Sequence, residues 1–264
     1  MTINGQKEML KYCDEGTTNF SGKFWLSDMK ILRDYDFQNP KNLFTEDIIW
    51  YVFKFFEKTL ESSRNIIVPV SLVPCITTSS DSYHNEGFKN PILWESYYYP
   101  KIADNPTSTY HLVFNIPTDK HWNYAAINCK ERLVIIYDPL GNKNYIQTME
   151  DSVKIWLMSE DEDPKCWRFH TNGGLYGNPY KLPEQTDESN CGIFVCLAAM
   201  YFMLKAEKSA DGSFNALSQK FPKETKYRNG DLIALRERFI RLIFGEEEEV
   251  DAEYLYFTNF FLNT

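Results

Sequence analysis

The chain has 264 residues, 43% of them hydrophobic, 16% aromatic and 25% charged, a composition that fits one generous globular domain and excludes a disordered tail, a collagen-like chain and a coiled coil. A formal net charge of −9, from 28 Lys and Arg against 37 Asp and Glu, disfavours capture of a nucleic-acid backbone. No nucleic-acid partner is expected, and a neutral or basic partner is easier to accommodate.

In chain order, the first strong element is a helix from Thr45 to Lys58. Thr45 is placed to cap it, two acids stand in its first turn, and positions 48, 49, 52, 53 and 56 form one apolar face. Residues 66–73 look extended, and 77–109, with Ser, Asn and Pro clusters, read as an irregular insertion in a single domain spanning 1–264. Three β-like runs follow, Tyr110 to Ile116, Trp122 to Cys129 and Leu133 to Tyr137. Then come a helix at Thr148 to Met158, an acidic turn, a short strand near Trp167 to His170 and a loop from Thr171 to Glu184. Cys191 to Lys205 is apolar all round and reads as a buried helix, and an amphipathic helix spans about Asp231 to Phe244 before Gly245. Strands and helices without strict alternation argue for an α+β fold. The acidic runs 160–163 and 246–249 are read as solvated faces that a basic partner surface could use.

Cys13, Cys75, Cys129, Cys166, Cys191 and Cys196 are too widely spaced for a disulfide framework. Free thiols in a reducing compartment, cytoplasm or nucleus, are expected. Neither a Cys-x-x-Cys pair nor a His-Glu-x-x-His arrangement occurs, so no metal site and no cofactor are anticipated. The longest apolar run, Cys191 to Leu204, is shorter than the roughly 20 residues that a bilayer requires, and the start shows no basic flank leading into an apolar stretch. We expect no membrane span and a monomer.

The chemistry concentrates in three places. His121 opens one strand and Asp138 closes the next. If the hairpin turns at Lys130-Glu131, Asp138 lies opposite Asn123 and becomes the diagonal neighbour of His121, within reach to fix the imidazole. A four-residue loop keeps that register, whereas a three-residue loop shifts it by one and breaks the pairing. The third place is Gln185-Thr186-Asp187-Glu188-Ser189-Asn190-Cys191-Gly192, polar residues that lead straight into the apolar helix. Unpaired amides and the positive end of the dipole favour a thiolate at Cys191. Gly192 would let a substrate backbone approach, and Gln185 with the Cys191 amide could hold a developing oxyanion. A nucleophile, a base, an orienter and an oxyanion donor are thus present. Taken by themselves, His121 could be a strand-edge histidine, Asp138-Pro139-Leu140-Gly141 a turn, and Trp122 a core residue.

These residues resemble the signature of the ubiquitin-like proteases, the SUMO-protease and deneddylase family of clan CE. His121-Trp122, Asp138 in Tyr-Asp-Pro-Leu, and Gln185 followed six residues later by Cys191-Gly192 agree with it in order and surroundings over roughly residues 40–205. The resemblance implies a papain-like core in permuted order, with a central mixed sheet flanked by helices. It implies a thiol isopeptidase that cuts after the C-terminal glycine of ubiquitin, SUMO or a neddylation modifier, with that modifier and its conjugates as partners. It also makes Trp122 a wall of the passage for the modifier's last glycines. The family's Trp-Leu-Asn-Asp motif has two counterparts here. Trp25-Leu26-Ser27-Asp28 is the better letter match, but Leu43-Phe44-Thr45-Glu46 stands before a helix and is preferred, with Leu43, Phe44 and Glu46 as substrate contacts and Trp25 on an upstream strand. Where the family has Asp before the nucleophile, this chain has Asn190. The same resemblance leaves two alternatives: an acetyltransferase of the YopJ type from the same clan, and an inactive modifier-binding module. It also admits an effector that a bacterium delivers into a host cell.

Overall fold

A computed structural model of the chain describes residues 9–14, 21–25, 44–60, 64–68, 101–116, 119–172, 180–209, 212–214 and 227–262. Strands β1 (Met9–Asp14) and β2 (Ser21–Trp25) pair antiparallel, so Trp25 does end an upstream strand. Leu26, Ser27 and Asp28 lie outside the described residues. The first described helix, α1 (Glu46–Thr59), starts where its capping residue predicts: the Thr45 hydroxyl accepts from Ile48 N at 3.4 Å, Glu46 and Asp47 occupy the positive end, and Lys58 the negative end.

The main sheet has five strands in the order β3 (Asn65–Ile67), β4 (Thr109–Ile116), β5 (His121–Asn128), β6 (Leu133–Tyr137) and β7 (Arg168–Thr171). The two outer pairs are parallel and the two inner pairs antiparallel, a mixed sheet. Every residue of β5 and β6 is buried because helices cover both faces, which is why these strands read as continuous apolar runs rather than alternating ones. One face packs on α2 (Lys143–Ser159) through Tyr110, Leu112, Ala125, Val134, Met149 and Trp156. The other face carries α1 and α3 (Cys191–Lys208) through Val113, Tyr124, Ala126 and Ile135. Helix α3 lies between the sheet and the remaining helices, α4 (Asn229–Phe244) and α5 (Glu247–Leu262), which explains an apolar surface on all sides. The fold class is α+β, as the sequence implied.

Several elements differ from expectation. Helix α2 begins at Lys143, five residues earlier than the apolar periodicity indicated, because the Asn142 side chain accepts from Asn144 N and Tyr145 N and starts it. The expected insertion at about 77–109 is only partly described. Its last part is built into the fold, with Ile102 buried in a short 3-10 turn and Thr109 already in β4. The acidic run 246–249 supplies the first turn of α5, where Glu247, Glu248 and Glu249 complement the helix dipole. Gly245 ends α4 with φ −69, so its role is close approach rather than a left-handed turn: a Cβ there would collide with the Arg241 carbonyl.

Candidate active site

The β5–β6 hairpin has the register that the sequence suggested, Tyr124 opposite Tyr137 and Asn128 opposite Leu133, around a turn at 129–132. Strand β6 stops at Tyr137 while β5 runs on to His121, so the sheet has an open corner where Asp138 leaves the ladder. There the Asp138 Oδ1 accepts from His121 Nε2 at 2.5 Å. Leu140 N donates to the same oxygen at 3.2 Å and Asn142 N to Oδ2 at 2.5 Å. The turn Asp138-Pro139-Leu140-Gly141 thus closes on its own carboxylate, and Asn142 both closes it and caps α2. From the end of β7, Asn172 Oδ1 accepts from Asp138 N at 3.0 Å while its amide nitrogen donates to Asp138 O.

Cys191 is the first residue of α3 and only 1% exposed. Its side chain faces the His121 imidazole and favours the charged form of that ring. Since Nε2 is taken by Asp138, Nδ1 is the nitrogen left for the thiol. Burial alone would lower the His121 pKa, but the hydrogen bonds and charges of Asp138 and Cys191 outweigh it and raise the group to about 9. An imidazole that holds its proton beside a thiol is what a thiolate nucleophile needs. Among the described residues the other buried thiols, Cys129 and Cys196, have no such neighbour. Burial pushes Cys196, five residues along α3, well above the ordinary thiol range, and raises Cys129 to about 12.

The loop before Cys191 is tied to the corner by Gln185 N, which donates to Pro139 O at 2.9 Å, and by Tyr137 OH, which donates to Pro183 O at 2.6 Å. Asp187 Oδ1 organises the last turn, accepting from Ser189 N at 2.8 Å, Asn190 N at 2.9 Å and Asn190 Nδ2 at 3.0 Å. Gln185 Nε2 donates to Asp187 O at 2.6 Å, and its Oε1 is buried with no hydrogen-bond partner. The side chain sits in the right loop, but its donor is turned onto Asp187. Donation to an oxyanion would require it to turn from Asp187, whose Oδ1 it also meets at 3.4 Å. Asn190, in place of the family's aspartate, accepts at Oδ1 from Arg236 Nε of α4 at 3.1 Å.

A Cβ at Gly192 would overlap the Phe44 side chain, so the glycine admits Phe44. Phe44 is itself buried, its ring 5.5 Å from that of Phe239 and 5.2 Å from the Arg236 guanidinium. A wall of the passage beside His121 would need Trp122 on the same side as that ring, which regular strand alternation does not give. Asn115↔Trp122 and Ile116↔His121 stay paired, so the two side chains leave opposite faces. Trp122 is 7% exposed within the core on the α3 side, and its Nε1 donates to Phe44 O at 2.8 Å. It braces the segment entering α1. Glu46 is half-buried in the first turn of α1, where burial and then the charge of Asp47 raise its carboxyl. Leu43 lies outside the described residues. Among the described residues no three His, Cys, Asp or Glu side chains are grouped to hold a metal ion.

Sequence reasoning did not assign Asn123, Asn142, Asn172, Asp187 or Arg236 to the site. For Asn123 the signal was present, since the hairpin register sets it opposite Asp138. Asn172 and Arg236 arrive from β7 and α4, and no spacing reports that.

With the geometry in place, the comparisons are informative. A family model for the Ulp1 protease family, C-terminal catalytic domain, matches residues 72–230, more than half of the chain. No curated protein sequence matches. Among solved structures, the C-terminal Ulp1 protease domain in complex with Smt3, the yeast ortholog of SUMO, is similar with a TM-score of 0.57 at 16% identity, covering 95% of this chain and 91% of that one. A de-sumoylating protease gives 0.55 at 16% identity, covering 96% of each chain. The SUMO protease Ulp1 with its catalytic cysteine oxidised to a sulfenic acid gives 0.52 at 17% identity, covering 88% and 86%.

Proposed function

The chain belongs to the Ulp1 protease family, and from that premise we propose that it is a cysteine isopeptidase that removes a ubiquitin-like modifier from lysines by cutting after the modifier's C-terminal glycine. The observation that carries this reading is one imidazole, His121, hydrogen-bonded to Asp138 and facing the thiol of Cys191.

In the reaction His121 Nδ1 holds the proton from Cys191, and the sulfur attacks the carbonyl carbon of the terminal glycine. Charge developing on the carbonyl oxygen is met by the Cys191 backbone N–H and by the Gln185 amide. The C–N bond breaks as His121 returns the proton to the departing lysine amine, leaving a thioester on Cys191. A water then gives a proton to His121 and attacks the thioester, freeing the modifier's carboxylate and the thiol. Asp138 keeps the imidazole aligned through both halves.

The SUMO proteases among the structural neighbours make SUMO the first modifier to test. The experiment is covalent capture by SUMO, ubiquitin and neddylation-modifier probes activated at the C-terminus. We expect one to label the wild type and Cys196→Ala, and none to label Cys191→Ala. Labelling that survives Cys191→Ala, or a wild type inert to all three, would sink the proposal.

A further inference from the structure

Asn123 lies two residues beyond His121 on β5, so both side chains leave the same face of the strand. It is completely buried, and a buried amide must place its hydrogens. With its nitrogen turned inward, Asn123 Nδ2 stands 2.9 Å from Asp138 Oδ1, 3.0 Å from Trp122 O and 2.9 Å from His121 Nε2. The opposite orientation would set its oxygen against a carboxylate and a carbonyl, two acceptors, and that repulsion decides between them. The two amide hydrogens go to Asp138 Oδ1 and Trp122 O. His121 Nε2, whose hydrogen goes to the same Asp138 Oδ1, stands beside the amide nitrogen as a second donor to that oxygen and is not its partner.

We propose that Asn123 is a positioning residue of the catalytic group, locking the Asp138 carboxylate against His121 Nε2 so that Nδ1 is presented to Cys191. The role rests on the protease reading above. The other donors to the carboxylate, Leu140 N and Asn142 N, belong to the turn that carries Asp138 and move with it. Asn123 belongs to the strand that carries the base, so it ties orienter and base to one rigid element, and its bond to Trp122 O fixes its own rotamer. The groups facing His121 are Asp138 from the turn after β6, Cys191 from α3 and the ring of Tyr145 from α2, 5.8 Å away. Asn123 acts on the first of them.

The test uses Asn123→Leu, which keeps the volume and removes the donor, and Asn123→Ala. Alkylation of Cys191 by iodoacetamide, followed on its own peptide by mass spectrometry between pH 5 and 10, reads the loss of the His121 proton without any modifier. In the wild type we expect that step at about 9. In the variants we expect it about one pH unit lower, with kcat down roughly 10-fold and KM within about twofold, the scale of one lost hydrogen bond. If the step moves while the wild type cleaves no modifier, the protease reading fails and the positioning role stands. A step that stays in place while Tm drops makes Asn123 structural and overturns the proposal. Should neither variant fold, side-chain 15N resonances of the wild type decide: the Asn123 amide must shift as His121 titrates, and an amide indifferent to that titration overturns the proposal equally.

Discussion

Two histidines on neighbouring strands have met opposite fates. His111 lies within β4 and His121 opens β5, both are buried, and each is hydrogen-bonded. The partners of His111 are neutral: Tyr124 OH at 2.6 Å from Nδ1 and Asn65 Oδ1 at 2.9 Å from Nε2, with Asn65 Nδ2 in turn donating to Met203 O of α3 at 3.3 Å. Burial has nothing to oppose it there and pushes the His111 pKa down to about 3. At His121 burial acts in the same direction, but the carboxylate and thiol reverse it, to about 9. Desolvation by itself makes a structural histidine. A corner of the sheet where β6 has ended, admitting the acid from one side and α3 from the other, makes a base.

Exchanging the two losses gives the largest contrast. His121→Ala should lower kcat by about 10²- to 10⁴-fold, the usual worth of a general base, while the protein stays folded. His111→Ala should leave activity per folded molecule unchanged and cost about 2 to 4 kcal/mol of stability, because the Tyr124 hydroxyl and the Asn65 carbonyl lose their partner in the core. Urea unfolding and single-turnover rates on both variants check this. Equal activity losses would erase the distinction between the two regions.

Acid and alkali should separate them next. Below about pH 6.5 the unfolded chain binds a proton at His111 that the folded chain refuses until about 3, so stability present above 6.5 is lost as pH falls through that window. For His121 the sign is opposite. Its folded pKa is raised to about 9, so its contribution is complete below about 6.5 and disappears as pH rises through 9. Each limb is worth on the order of a few kcal/mol, the acid limb more than the alkaline one. His111→Ala should flatten the acid side of a plot of urea midpoint against pH, and His121→Ala the alkaline side. The reverse assignment would contradict the partners seen at each ring.

How much of this could be read beforehand depends on the distance along the chain over which each contact acts. The His121–Asp138 pair was legible because strand periodicity and one turn length fix a hairpin register, and Cys191 was legible because polar residues meet an apolar helix there. The contact between Phe44 and Gly192 was not legible. A glycine after a nucleophile says that something approaches closely, and only the fold says that it is a phenylalanine from the segment before α1. The start of α2 was missed since Gly-Asn-Lys-Asn reads as loop until Asn142 is seen accepting the first amides of a helix. The polar supports from β7 and α4, Asn172 and Arg236, join residues far apart in sequence, where propensity and periodicity carry no information.

The smallest effect tests how far the corner depends on support from outside its own hairpin. The last paired residues of β6 and β7 are Ile136 and Thr171, so Asn172 stands just past the ladder with its side-chain amide bonded to both the N–H and the carbonyl of Asp138. A side chain here extends by one step the pairing that the backbones have given up. Asn172→Ala removes both bonds, yet the Asp138 carbonyl keeps Gly141 N at 2.9 Å. The carboxylate also keeps Leu140 N and Asn142 N. Asn172 is half-exposed, so water can take over the freed N–H, and a net loss of about 0.5 to 1.5 kcal/mol corresponds to a fall of about 2- to 10-fold in kcat. The His121 step in Cys191 alkylation should stay near 9 in this variant, because the carboxylate oxygens have lost nothing. A step displaced as far as in Asn123→Leu would mean that the backbone of Asp138, rather than its carboxylate, sets the base, and the contrast between the two histidines would then have to be sought in how β7 holds the corner.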